Sequence, residues 1–223
     1  MKKLFLPFLI ALMIPFSMSS CGGLKNYTLT EADATAAIRE LLQIGSRDGL
    51  NPNAFNKQTI LASVFPSEVV KVLNTLNTLG LTSEVDRFST TLATATQQTA
   101  ERSVPVFVNA ITGMRLADAI SIVKQGGTSA TDYLRSVAGI QLRDAIKPVM
   151  QDALNQYNLT KQWETITSPV RGLLGNKVNI DLATITAGLV TEKMFQKIAE
   201  KERQVRTDAN ARTSLVLRRV FGS

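Results

Sequence analysis

The spacing of apolar residues constrains the fold of this 223-residue chain more than any other feature. Apolar residues recur at three- and four-residue steps along most of the sequence, whereas the two-residue alternation of half-buried strands is nearly absent. Residues at the first spacing lie on one face of an α-helix. The sequence therefore predicts an all-α fold, a single bundle-like domain of about eight helices with short connections.

Capping residues and glycines mark where the predicted helices begin and end. Thr28 or Thr30 caps a first helix. Gly45 and Gly49 end that helix. Asp181 caps a helix near the C-terminus, and a last helix covers about residues 209–220. These assignments place helix boundaries from the two ends of the domain.

Two longer helices lie between them, and each contains a proline. Thr82 opens one that continues through a threonine-rich stretch and breaks near Pro105. Thr128 opens the other, with a kink at Pro148 and an inward-facing apolar stripe that includes Val137.

The N-terminus has the features of an export signal. Lys2 and Lys3 precede an apolar run, residues 4–16, that is too short to cross about 30 Å of hydrocarbon but long enough for a signal-peptide core. Small residues and one methionine then lead to Cys21, the only cysteine in the chain. This arrangement resembles a bacterial lipobox, which implies cleavage before Cys21 and acylation of that residue. The alternative is an ordinary signal peptide that leaves Cys21 as a spare thiol.

The predicted organisation follows from that signal. Residues 1–20 are a lipoprotein signal peptide that is removed, residues 21–29 a lipidated tether, and residues 30–223 the helical domain. The residue after Cys21 is Gly22 and not aspartate. This resembles the pattern of lipoproteins that diderm bacteria send to the outer membrane by default. We therefore expect a lipid-anchored protein of the cell envelope, in the outer membrane and facing the periplasm.

The composition excludes several classes of site. The chain has no histidine and one cysteine, so it can form neither a Ser-His-Asp or Cys-His catalytic system, nor a His-ligated metal site, nor an internal disulfide. We expect no cofactor and no metal. Lysine and arginine number 25 against 18 acids, but we expect no nucleic-acid partner because export separates the chain from nucleic acid.

Much of the positive charge lies near the C-terminus, and it forms a candidate interaction surface for anionic lipid headgroups or an acidic partner. The alternative is a solvated helix face, partly neutralised by acids at helical spacing. The surface comprises Lys193, Lys197, Lys201, Arg203, Arg206, Arg212, Arg218 and Arg219.

The same C-terminal segment contains a candidate structural ion pair. Glu200 with Arg206 and Arg212 could hold the last two helices together. The alternative is an arginine clamp for a carboxylate or phosphate ligand.

Two short patterns resemble catalytic motifs and are better explained as helix ends. Ser121 and Lys124 have the Ser-x-x-Lys spacing of penicillin-binding enzymes, but the companion motifs and mixed fold of that class are missing. Residues 125–129 are glycine-rich but lack the spaced glycines, lysine and preceding strand of a phosphate loop, so we interpret them as a helix–helix turn.

Longer strings resemble a family of exported bacterial proteins called domain of unknown function 4197. They are LNTLGLTSEVDRF at 76–88, PVFVNAITGM at 105–114, ATDYLR at 130–135 and IAEKERQVRTDANARTSLVLRRVFG at 198–222. The resemblance covers about residues 29–222. The family tends to have Asp where Asn109 stands and Asn-Pro where Asp208 and Ala209 stand. It implies one helical domain behind a signal peptide and supplies no activity, substrate or catalytic residue.

Three functional hypotheses remain open. The first is a lipid-anchored helical module that binds another envelope protein or the membrane surface, without catalysis. The second is a carrier that holds an apolar ligand or lipid between helices. The third is an enzyme that works with carboxylates alone, which requires two acids in one pocket.

Overall fold

The computed structural model of the protein describes residues 27–48, 55–63, 65, 67–174 and 180–222. Every regular element in those ranges is helical, which confirms the all-α prediction. The α-helices are α1 Glu31–Asp48, α2 Lys57–Ser63, α3 Ser67–Thr78, α4 Thr82–Gly113, α5 Ala119–Gln125, α6 Ser129–Gln156, α7 Leu159–Thr167, α8 Arg171–Leu174, α9 Leu182–Thr207 and α10 Leu215–Phe221. Short 3-10 turns, Ser168–Val170 and Ala209–Ala211, follow α7 and α9.

The long helices α4, α6 and α9 form the centre of the domain. Helix α6 packs on both α4 and α9, and α1 packs on α9 and α4. The shorter helices cover the outside: α5 and α10 pack on α1, whereas α2, α3 and α7 pack on α4. Apolar side chains from all these helices join one contiguous core, whose removal from water is the main force that stabilises the fold.

The predicted break near Pro105 is wrong, because α4 continues through that residue. Helix α6 also continues through Pro148, where the sequence predicted a kink and not a break. A proline inside a helix frees the carbonyl group four residues earlier, here that of Glu101 and that of Asp144. Both prolines and both of these residues lie on exposed faces of their helices, where water can solvate the freed carbonyls. The buried apolar residues on the opposite faces keep each helix in one piece.

The threonine-rich part of α4 lies inside the domain although it reads as polar. Ser89, Thr96, Thr99 and Ser103 have no solvent-exposed surface. Each hydroxyl donates to the backbone carbonyl four residues earlier in the same helix, at 2.6–2.9 Å. Their hydrogen-bonding needs are met within α4, so these side chains can be buried at a helix interface like small apolar residues.

Gly45 does not end α1, as the sequence predicted, but lies within it. A Cβ atom at this position would be 3.0 Å from the Cα atom of Ile198 in α9. The glycine therefore permits a close approach of α1 and α9, and α1 continues to Asp48.

Several helix ends follow the sequence prediction. The Thr30 hydroxyl, rather than that of Thr28, accepts from the Asp33 amide at the start of α1. Asp181 caps α9 by accepting from the Thr184 amide. The predicted last helix is instead a 3-10 turn followed by α10. Val137, predicted to face inward, is 42% exposed.

The predicted signal peptide, Cys21 and most of the predicted tether lie outside the described residues. Among the helices that the structure describes, none combines the length and apolar character needed to cross a membrane.

Candidate functional site

Glu202 and Arg206 form a buried ion pair at the junction of α5, α6 and α9. The Glu202 side chain is fully buried, and its carboxylate accepts from the Ala130 and Thr131 amides and from the Thr131 hydroxyl, at 2.6–3.0 Å. The Arg206 guanidinium donates to the same carboxylate at 2.8 Å and to the carbonyl oxygen of Val123 at 2.8 Å. A carboxylate thus caps the start of α6, and an arginine caps the end of α5.

Of the three residues predicted to form an ion pair, only Arg206 lies in the buried pair. Arg206 does form a buried pair, but its partner is Glu202, while Glu200 is exposed and bonds Lys197 at 2.7 Å. Arg212 contacts no acid in this cluster and donates to the carbonyls of Val205 and Arg206, which caps the end of α9. All three guanidinium nitrogens of Arg206 donate inside the protein, so Arg206 is not placed to clamp an external anion.

Several of the eight residues of the predicted basic surface form contacts within the domain. Lys201 lies 3.2 Å from Asp48, and Arg219 lies 3.8 Å from Asp33, in addition to the pairs of Lys197 and Arg206. Arg218 remains exposed with one long hydrogen bond to the Thr213 carbonyl, at 3.4 Å. Lys193 and Arg203 form no ion pair with the residues that the structure describes. Arg206 is therefore directed into the protein, whereas an interaction surface formed by the other seven residues stays a prediction.

Helix α5 is held at both of its ends by charged side chains from other helices. The Glu31 carboxylate of α1 accepts from the Ala119 amide at 2.8 Å, at the start of α5. Arg206 of α9 donates to the Val123 carbonyl near its end. Each charge has the sign that the helix dipole favours at that end. This seven-residue helix is thereby fixed against the domain and forms one wall of a groove.

The groove lies between α5 and α6, is open to solvent and has a volume of about 550 Å³. Its lining residues include the acidic Asp118 and Asp132 and the hydroxyl-bearing Ser121, Tyr133 and Ser136. Among the described residues that line the groove, none is basic. A chain with an excess of lysine and arginine therefore carries a locally acidic groove.

Both carboxylates stand at helix starts and retain an oxygen without a described donor. Asp118 accepts from the Ser121 amide through Oδ1, and Asp132 accepts from the Thr128 hydroxyl through Oδ2. Asp118 also adopts a left-handed backbone conformation with φ of 56°, which is uncommon for a residue with a side chain. In this conformation the Asp118 side chain caps α5, and α5 then runs along the groove.

An apolar ledge continues the groove along α6. Val137 lies four residues after Tyr133, and Ile140 lies four residues after Ser136, so each follows a groove residue on the same helix face. Ile140 is 75% exposed, an unusual position for a large apolar side chain in the middle of a helix. Acidic and apolar surface are thus adjacent along one side of the molecule.

The two motif-like patterns have the structural roles that the sequence favoured. Gly126 and Gly127, with φ of 73° and 58°, form the turn between α5 and α6, which confirms the helix–helix turn. The Ser121 hydroxyl lines the groove and accepts from the Gln125 amide side chain at 3.1 Å, whereas Lys124 lies exposed at the end of α5.

A second, smaller cavity of about 210 Å³ lies between the start of α4 and α7, and it is also open. Glu84, Arg87 and Lys161 are among its lining residues. Neither this cavity nor the α5–α6 groove has the enclosed apolar lining that the carrier hypothesis requires. In the described part of the chain, no cluster of three or more His, Cys, Asp or Glu residues could hold a metal ion.

The groove itself was not predicted from the sequence. Asp118, Asp132 and Ile140 belong to none of the candidate sites predicted from the sequence. The available signal was the pair of glycines between two capped helices, which predicts a tight turn but not which faces meet across it.

Comparisons with known proteins agree with the resemblance noted in the sequence. A family model described as protein of unknown function (DUF4197) matches residues 28–222. No curated protein and no solved structure matches the chain. Because the match spans nearly the whole helical domain, the chain belongs to the DUF4197 family.

Proposed function

We propose that this chain is a lipid-anchored, periplasm-facing binding module that receives a segment of another envelope protein in its α5–α6 groove. The observation that carries the proposal is the open groove of about 550 Å³ with two carboxylates on its walls and an exposed apolar ledge beside it. Exposed apolar surface bordered by polar groups is typical of interaction sites.

The chemistry of the groove favours a particular kind of segment. Asp118 and Asp132 suit a lysine or arginine side chain, and Val137 with Ile140 suits apolar side chains on either side of it. The anchor rests on the lipobox-like residues before Cys21. An acylated cysteine would keep the groove near other proteins of the same membrane.

The carboxylate-enzyme alternative has less support. The groove does bring two acids together, as that hypothesis requires. Each of them, however, already accepts a hydrogen bond at a helix start, which gives both a structural task. We therefore favour binding over catalysis for this site.

The proposal is tested by photo-crosslinking in the intact envelope. A photoreactive amino acid replaces Ile140 in the full-length chain, and the matched control replaces Leu79, another exposed large apolar residue, in the turn that follows α3. We expect crosslinks to a defined envelope protein from position 140 and not from position 79. Mass spectrometry of the crosslinked peptide should identify a segment with a basic residue beside apolar ones.

Charge dependence separates recognition from chance proximity. Asp132→Lys should reduce the crosslink at position 140 at least tenfold, whereas Asp144→Lys, an exposed change further along α6, should not. Equal crosslinking from positions 79 and 140, or no effect of Asp132→Lys, would contradict the proposal. Cys21→Ser should separately release the chain from the membrane fraction.

A further inference from the structure

Helix α10 presents one exposed face that combines an apolar residue with two arginines. Leu217 and Val220 are buried against the domain, whereas Leu215, Arg218 and Arg219 are exposed. Positions 215, 218 and 219 are three and four residues apart and so share one side of the helix. Leu215 is 74% exposed, which makes it one of the most exposed large apolar side chains among the described residues. We call these three residues the α10 stripe.

The charges of the α10 stripe are only loosely engaged within the protein. Arg219 lies 3.8 Å from Asp33, the longest of the described ion pairs, and half of its side chain remains exposed. Arg218 donates to the Thr213 carbonyl at 3.4 Å. Both guanidinium groups therefore keep donors for an external anion. By contrast, all three guanidinium nitrogens of Arg206 donate to acceptors inside the protein.

The α10 stripe lies next to the point where the predicted tether joins the domain. The Arg219 guanidinium lies 5.5 Å from the ring centre of Tyr27, the first residue that the structure describes. Tyr27 follows Cys21 by six residues, and a fully extended chain of that length spans about 20 Å at most. Helix α10 itself is only about 10 Å long. An acylated Cys21 would therefore hold this stripe within reach of the bilayer surface.

We propose that the α10 stripe rests on the anionic headgroups of the membrane that holds Cys21, and so fixes the orientation of the domain. This inference depends on the anchor that is part of the proposed function. Leu215 enters the interface between headgroups and acyl chains, while Arg218 and Arg219 bind lipid phosphates. The occupant is the lipid surface because the short tether keeps that surface beside the stripe, and because arginines paired with an exposed leucine complement anionic lipid.

The test uses the lipidated mature protein in vesicles of phosphatidylcholine with or without phosphatidylglycerol. Leu215→Cys is labelled with a fluorophore, and spin-labelled lipids act as quenchers. Cys21 is the only native cysteine, and acylation blocks its sulfur, so the label is confined to the introduced site. The matched control is Leu79→Cys in the turn directly after α3. Helix α3 packs on α4 and α7, whereas α10 packs on α1 and α9.

We expect severalfold stronger quenching at position 215 than at position 79 in vesicles that contain phosphatidylglycerol. The difference should shrink in phosphatidylcholine alone and at high salt, because salt screens the attraction between arginine and lipid. Arg218→Gln with Arg219→Gln should remove it. Lys161→Gln with Arg171→Gln, which removes the same charge from α7 and α8, should leave it unchanged.

Three results would overturn the inference. They are equal quenching at positions 215 and 79, quenching that does not respond to the arginine substitutions, and a mature protein that carries no acyl chain. Failure of the groove proposal would leave this experiment unaffected, because the vesicles contain no partner protein. A lost crosslink at position 140 with retained quenching at position 215 would therefore contradict the groove alone.

Discussion

Glu202 is the residue whose replacement should cost the most stability. Its carboxylate accepts three hydrogen bonds from the start of α6 and lies against the Arg206 guanidinium. Glu202→Gln turns an acceptor into an amide donor that faces other donors, and it leaves a buried arginine without its counter-charge. We expect a loss of about 3–5 kcal/mol in the free energy of unfolding, measured by urea titration.

Two further variants test whether Glu202 and Arg206 stabilise the domain as a pair or only through their separate caps on α6 and α5. Arg206→Met should also be strongly destabilising, because it leaves Glu202 buried as an unpaired anion. The double variant Glu202→Gln with Arg206→Met should lose at least about 1 kcal/mol less than the sum of the single losses. Simple additivity would show that the two residues stabilise different parts of the junction independently.

Asp181 should give a stability contribution that depends on pH. The Thr184 hydroxyl and amide, followed by Lys147, lower the pKa of this carboxyl from 3.8 to about 2. A lowered folded-state pKa means that the stabilisation is complete above about pH 4 and is lost as the pH falls towards 2. Asp181→Ala should cost about 1 kcal/mol at neutral pH, a modest value because more than half of the side chain is exposed.

Urea titrations of wild type and Asp181→Ala at several pH values check this expectation. The difference between the two proteins should narrow steadily between pH 4 and pH 2. Asp181→Asn, which keeps a capping oxygen but carries no charge, should show little of that dependence. A gap of constant size down to pH 2 would argue against an ionised cap.

At the scale of helices, apolar spacing and capping residues predicted most elements. The break predicted near Pro105 and the helix end predicted at Gly45, however, do not occur. A break was expected near Pro105 and a kink at Pro148, because proline lacks an amide proton. Their positions on exposed faces remove most of that penalty, and exposure depends on packing that a local pattern does not contain. Gly45 was predicted to end α1 because a local pattern does not show tertiary packing either. Only the position of Ile198 in α9 shows that residue 45 must lack a side chain.

The close contact between α1 and α9 should make Gly45 intolerant of a larger residue. Gly45→Ala would place a methyl group 3.0 Å from the Ile198 Cα atom, and backbone cannot move away as a flexible side chain can. We expect a loss of roughly 1–3 kcal/mol in unfolding free energy from this overpacking. Gly139→Ala in α6 is the matched control, because its new methyl group would meet the Arg135 Cγ atom at an ordinary 3.7 Å.

The control should change stability in the opposite direction. Alanine is a better helix former than glycine, so Gly139→Ala should gain about 0.5–1 kcal/mol in thermal or urea unfolding. A stabilising Gly45→Ala would show that α1 and α9 can separate at little cost, and that the close approach is not required by the fold.

At the scale of the whole molecule, the site was harder to predict than the fold. The fold follows from local periodicity, whereas the groove depends on which faces of α5 and α6 meet. The ion pairs of the predicted basic surface depend on tertiary structure in the same way, because Lys201 and Arg219 pair with acids on α1, which is distant in sequence. Charges at helical spacing indicate a shared face, but only the tertiary arrangement shows which of them remain available.

The last prediction concerns whether the domain unfolds as one unit. Trp163, the only tryptophan, lies 5.4 Å from Phe88 of α4 and 6.3 Å from Phe65, measured between ring centres. At the other end of α4, Phe107 lies 5.4 Å from Phe195 of α9. One continuous helix therefore links both aromatic clusters, and the core between them is contiguous. Loss of either cluster should weaken the packing of the other through α4.

Tryptophan fluorescence and helical circular dichroism should therefore follow the same urea transition, with one midpoint and one slope. The fluorescence reports on the environment of Trp163, whereas the dichroism reports on all helices together. If the fluorescence changed at a lower urea concentration, the end of the domain that holds α3 and α7 would be a separate, weaker unit. Coincident transitions would instead show that α4 couples this end to the junction of Glu202 and Arg206, so that local damage at either end lowers the stability of the whole domain.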